Sequence, residues 1–137
     1  MKLAIIVDRE LPPGLAANAA AILGMSIGRS APESLGHDVS DAGGSLHPGI
    51  TRLPVPVLEA DAETLRRIRA SASANPALRF ADFTDAAQRT RTYEEYAERL
   101  AAAAPEDLRY LGLCLFGDDV EVRRATGALP LLGRGGA

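Results

Sequence analysis

The stretch Lys2–Ser26, KLAIIVDRELPPGLAANAAAILGMS, constrains the fold more than any other part of the chain. Leu3–Val7 is an unbroken aliphatic run with two isoleucines and a valine, which predicts a strand buried on both faces. A strand of that kind needs a layer of structure on each side. The next segment supplies one of them: Pro12 and Pro13 suit the first turn of a helix, where a missing N–H is not needed. Leu15, Ala19, Ile22, Leu23 and Ile27 then recur at helical spacing and predict the face packed on the sheet, with Gly24 and Gly28 favouring an end near Gly28.

The remaining elements follow the same logic. Tyr110–Phe116, YLGLCLF, is equally apolar and is the expected partner of the first strand, the two forming the middle of the sheet. In LPVPVL, Leu53–Leu58, the two prolines stand two apart and remove donors from one side, which restricts that run to an edge strand. Asp61 is an expected N-cap for a helix burying Leu65, Ile68 and Ala72, with Arg66, Arg67 and Arg69 largely toward water. Leu78–Phe83 alternates as a further strand. Thr92 with Glu95 makes a capping box ahead of a helix carrying Tyr93, Tyr96, Ala97 and Leu100. Asp118 with Glu121 makes a similar start, Gly127 a C-cap, and Ala128–Leu132 a short returning edge strand; the tail from Gly133 is expected to fray. Strands alternating with helices predict a three-layer α/β/α sandwich on a mixed, mostly parallel sheet of about four to five strands, as one domain over residues 1–137.

Composition narrows the function classes. A chain of 137 residues can bury roughly two thirds of its unfolded surface, so it needs neither disulfides nor a metal to fold. Its one cysteine, Cys114, lies in an apolar run and reads as a buried hydrophobe in a reducing compartment. The first apolar run is closed by Asp8, Arg9 and Glu10, too soon for a signal peptide, and nothing approaches the roughly 20 apolar residues of a membrane span. A cytoplasmic protein without membrane contact is expected. The formal net charge of −3 offers nucleic acid no general attraction, and Lys2 is the only lysine.

Residues 29–51 lack a sustained period and hold both histidines, His37 and His47, beside Asp38 and Asp41. Their spacing is not that of a metal site, and no metal or cofactor is expected. Ligands in open α/β sheets gather beyond the carboxyl ends of strands. Those ends carry Asp8 with Arg9 and Glu10, Asp82 with Thr84 and Asp85, and Gly117 with Asp118. No G-x-G-x-x-G, Walker or G-x-S-x-G pattern is present.

Three stretches carry a resemblance: LAANAAAIL in the first helix, FTDAAQRTRTYEEYAERL, and the ending YLGLCLFGDDVEVRRATGALPLL. Together they resemble the DUF2000 family of uncharacterised proteins, whose fold is similar to the type II peptidyl-tRNA hydrolases. The hydrolase pattern places a lysine in the first helix and an aspartate and threonine in a D-A-G-x-T-like turn. Asn18 stands at the lysine position, Ala87 replaces the glycine, and Thr90 comes one residue late with Arg89 in its place. An asparagine offers no cationic field to phosphate or to an oxyanion, so tRNA is not expected as a substrate.

What the resemblance implies is a pocket between the first helix and the 82–91 turn, with Asp85 and Thr90 as catalytic candidates and Asn18, Arg89 and Arg91 as ligand-binding ones; Asp8, from its place at a strand end, is a further ligand-binding candidate. An unidentified small molecule is the expected ligand. The alternatives are a non-catalytic homodimer that associates through exposed sheet edges or the 29–51 loop, and retained hydrolysis of peptidyl-tRNA.

Overall fold

The computed structural model describes residues 1–134. In chain order the elements are β1 (Lys2–Asp8), α1 (Pro13–Ser30), β2 (Val39–Ser40), β3 (Leu46–His47), β4 (Val57–Ala60), α2 (Ala62–Ser73), β5 (Leu78–Thr84), α3 (Asp85–Gln88), α4 (Tyr93–Ala102), β6 (Tyr110–Gly117) and α5 (Asp119–Thr126).

Four strands form one sheet in the order β4-β1-β6-β5. As expected, β1 and β6 are its centre. Their direction differs from expectation: β1 is parallel to β4 but antiparallel to β6, and β6 is antiparallel to β5. The sheet is mixed, but it is not mostly parallel. The physical reason is the connection into β6. Helix α4 lies between β5 and β6 but does not cover a face of the sheet as a crossover helix would, and no residue of it is buried. The chain returns beside β5 in the opposite direction. This reversal also moves Gly117 and Asp118 to the far end of the sheet from Asp8 and Thr84, so only two of the three expected strand ends share an edge.

The alternation along β1 divides the core in two. Leu3, Ile5 and Val7 pack with Ala19, Leu23 and Ile27 of α1 on one face. Ala4 and Ile6 pack with Leu65 and Ile68 of α2 and Val122 of α5 on the other. Cys114 is fully buried on the α1 face, and burial pushes its thiol up to about 12. At pH 8 only roughly one thiol in ten thousand would ionise. The folded protein should therefore resist maleimide or disulfide reagents at that pH, with labelling appearing only on denaturation; rapid stoichiometric labelling of the native chain would contradict this burial.

Helix α2 matches its sequence signal closely. The Asp61 carboxylate accepts from the Thr64 N–H at 2.8 Å, and Leu65, Ile68 and Ala72 are buried. Its arginines are not simply solvated. Arg66 bonds to the carbonyls of Pro105 (3.0 Å) and Leu108, and Arg69 pairs with Asp82 at 3.1 Å while lying over the rings of Phe80 and Tyr110. At α5, Asp118 caps as expected, through the N–H groups of Val120 and Glu121. Gly127 ends that helix at φ −61°, so the glycine is not there for a left-handed turn; a Cβ would lie 2.8 Å from the Arg123 carbonyl oxygen.

Both expected edge strands shift. The run expected over Leu53–Leu58 becomes a strand only at Val57–Ala60, beyond the prolines, although it is indeed an edge. Ala128–Leu132 does not form a strand; Leu131 makes an isolated bridge to Leu58. Backbone bonds from Glu59 to Pro130 (3.0 Å) and from Leu132 to Val57 (2.9 Å) lay the segment along the outer side of β4. Of the tail expected to fray, 135–137 lie outside the described residues, while the Gly133 N–H donates to the buried Glu59 carboxylate at 2.9 Å.

The expected long loop is partly ordered. Helix α1 continues to Ser30, a single 3₁₀ turn follows at Pro32–Ser34, and β2 pairs with β3 in an arm closed at its base by the Leu35–Thr51 bridge. The arm's apolar side chains, Leu35, Val39, Leu46 and Ile50, are all exposed.

Candidate functional site

The residues proposed from sequence separate into three places. The first is a cleft of about 530 Å³ between α1 and α4, beside the free edge of β5. Asn18, Thr90 and Arg91 all border it, brought together from segments far apart in the chain. Leu15 and Ile22, expected in the core, instead face this cleft and are partly exposed. The helical period was real, but the apolar stripe of α1 is wider than its contact with the sheet. Ala16, Ala19, Leu23 and Ile27 form the buried part.

The polar side of the cleft comes from the 82–96 segment. The Thr90 hydroxyl donates to the Ala87 carbonyl at 3.2 Å, which leaves its lone pairs able to accept. The Thr92 hydroxyl accepts from the Glu95 N–H at 3.1 Å, while the Glu95 carboxylate reaches the Arg91 N–H at 3.1 Å, one residue outside an ideal capping box. Tyr93 and Tyr96 stack edge to face with centroids 5.4 Å apart. Burial, followed by the charges of Asp82 and Tyr93, raises the Tyr96 phenol above its ordinary value, so it is a donor throughout the physiological range. The Arg91 guanidinium has no ion-pair or hydrogen-bond partner among the described residues. Asn18 is exposed and has no side-chain partner among the described residues, so burial does not explain its place in an apolar helix.

The second place holds Asp85 and Arg89, which border a smaller hollow of about 170 Å³ with Arg99 and Asp107. Asp85 does not line the cleft with Thr90. One of its carboxylate oxygens accepts from the Arg109 N–H at 3.2 Å.

Asp8 is in the third place and is only 1% exposed. Its Oδ2 accepts from Arg109 Nη2 (2.7 Å) and Nε (3.1 Å), and its Oδ1 from the Glu10 N–H (2.9 Å). Sequence reading missed Arg109, which joins the ends of β1 and β5 by bonding Asp8 with its side chain and Asp85 with its backbone. The hydrogen bonds and charge of Asp8, with a smaller contribution from Glu10, hold the Arg109 guanidinium above its ordinary value.

In the arm, His47 Nε2 lies 2.8 Å from Asp41 Oδ2, and this bond together with the Ser45 and Gly43 N–H groups lowers the Asp41 carboxyl. His37 bonds the Asp38 carbonyl instead. Among the described residues no three histidine, cysteine or acidic groups converge as metal ligands, and no helix is long and apolar enough to cross a membrane.

A mixed four-stranded sheet between helical layers, with a cleft open at one sheet edge, defines an α/β sandwich protein whose candidate site lies outside the core. Residues 1–133 match the family model described as "Protein of unknown function (DUF2000)", and the chain belongs to that family. A solved structure of a protein of unknown function from Agrobacterium tumefaciens is similar, with 22% identity, a TM-score of 0.84, and coverage of 95% of this chain and 96% of that one. At that identity the likeness concerns the fold. No curated protein matches.

Proposed function

We propose that the protein binds a small organic anion with an apolar body in the cleft between α1 and α4. The observation that carries this reading is that Arg91, a cation unpaired among the described residues, borders the same hollow of ligand size as the exposed apolar side chains of Leu15 and Ile22. Small-molecule sites combine apolar walls with a few orienting polar groups, and Asn18, Thr90 and the Tyr96 hydroxyl supply those here. Arg91 would hold a carboxylate or phosphate by charge-assisted bonds, and the side chains of Leu15, Ile22 and Phe83 would cover the ligand's hydrocarbon.

A thermal-shift screen with aryl and alkyl carboxylates, nucleotides, tRNA and divalent metals tests the reading. A carboxylate at about 100 times its Kd should add roughly 2.7 kcal/mol to stability. Arg91→Ala should weaken binding about tenfold, equivalent to about 1.4 kcal/mol, with smaller losses in Asn18→Ala and Thr90→Ala. No shift with any anion, or a shift unchanged in all three variants, would remove the cleft assignment.

Peptidyl-tRNA hydrolysis is not our reading. Asp85 and Thr90 border different hollows, so a water held by one is not presented to an ester held by the other. A second reading, self-association, draws on the exposed Leu35, Val39, Leu46 and Ile50 of the arm. It requires a dimer in light scattering that dissociates in Ile50→Asp; a monomer at high micromolar concentration excludes it.

A further inference from the structure

The two edges of the sheet are treated differently. At β4 the edge is short, preceded by Pro54 and Pro56, and covered by the chain's own Pro130–Leu132 segment through the two backbone bonds given above. At β5 the edge strand is seven residues long, contains no proline, and among the described residues pairs only with β6. Natural sheets normally blunt such an edge, because its free N–H and C=O groups are a template for another strand. Here it is left open at the bottom of a groove.

That groove extends the cleft. A second hollow of about 400 Å³ lies along the same edge, between Phe80 and Ala81 of β5 and Arg29 and Ser30 of α1, and the two hollows share Ser26 and Asp82 in their walls. Its charges without an ion-pair partner among the described residues are of one kind. Asp82 is already paired with Arg69, and Arg79 with Glu33 at 2.7 Å. Arg91 at one end and Arg29 at the other have no ion-pair partner among the described residues. The α1 wall of the hollow that Arg91 borders runs from Leu15 to Ser26, and from the middle of that wall the helical rise to Arg29 is about 13 Å. An extended chain covers such a rise in about four residues.

The geometry points to a docking site for an extended acidic peptide, added as a fifth strand to the free edge of β5 with carboxylates reaching Arg29 and Arg91. This deepens the proposed function, on which it rests for the Arg91 end. The backbone ladder supplies pairing without regard to sequence, and the two arginines select acidic residues about four positions apart on one face of the strand. A second copy of β5 fits less well. Pairing two antiparallel β5 edges about a two-fold axis brings Arg29 of one copy toward Arg91 of the other, and like charges at a pairing edge are destabilising.

The test uses the full chain and a fluorescein-labelled heptapeptide of valines and threonines with two glutamates four residues apart. Anisotropy should rise on titration with the protein, and R29E and R91E, checked as folded by circular dichroism, should each weaken binding at least about tenfold. Replacing both glutamates by lysine should abolish the signal. N-methylation of the amides on one side of the peptide should abolish it as well, whereas methylation on the other side should not. Failure of the peptide to bind while a small carboxylate still raises the melting temperature overturns the peptide site and leaves the cleft reading standing. Failure of both removes both. Equal binding of the two methylated peptides, or a dimer that R29E makes tighter, also overturns the inference.

Discussion

Arg109→Ala should cost about 3 kcal/mol of stability, a large effect for a side chain that is 46% exposed. The loss arises on its partner. Asp8 is 1% exposed and would keep only the Glu10 N–H for its carboxylate, so the variant must either hold a buried charge almost unpaired or protonate it. Solvent reaches the arginine side of the pair, which places the effect at the lower end of what breaking a buried ion pair costs. The double variant Asp8→Asn/Arg109→Ala should recover most of the loss, because a neutral amide is cheaper to bury and can still accept from Glu10. Urea melts of the two single variants and the double variant give the coupling. A loss below about 1 kcal/mol in Arg109→Ala would mean that water substitutes for the guanidinium.

Gly117→Ala is the second large effect, again about 3 kcal/mol, and it comes from steric overlap. A Cβ at this position would lie 2.2 Å from the Ala77 carbonyl oxygen and 3.1 Å from Leu78 Cδ2. The close neighbour is backbone at the start of β5, so no rotamer change relieves it, and the Leu78–Gly117 register must open. Gly112→Ala is the useful comparison: its nearest contact, Leu23 Cδ1 at 2.8 Å, is the end of a flexible side chain, and its loss should be smaller. Chemical denaturation of both variants checks the order. A Gly117→Ala protein as stable as the parent would show that the strands separate there without penalty.

What was legible in the sequence was local. Asp61 announced α2 because a cap acts on N–H groups three residues away, and the aliphatic runs announced β1 and β6 because strands buried on both faces carry no polar residue. Strand direction was not legible, since Tyr110–Phe116 reads the same whether it runs with β1 or against it; the reversal depends on where α4 fails to pack. The candidate site was half legible. Asn18, Thr90 and Arg91 do meet, but periodicity could not tell that Leu15 and Ile22 belong to a cleft while Leu23 belongs to the core, one helix turn being shared between them. Arg109 carried no signal. Its partner Asp8 is at the other end of the chain, and an arginine before an apolar strand usually marks only the surface.

The position of β6 affects how the chain acquires its structure during synthesis. It lies between β1 and β5 and is hydrogen-bonded to both, yet it is the last strand of the sheet to leave the ribosome. Until Tyr110–Gly117 emerges, β1 can hold only the short β4, and β5 has no neighbour in the sheet. The edge of β1 that pairs with β6 must therefore wait through most of translation without its neighbour, a delay set by topology and not by stability. A nascent chain stopped before Tyr110 should bind a hydrophobic-surface chaperone, and one extended past Thr126 should release it.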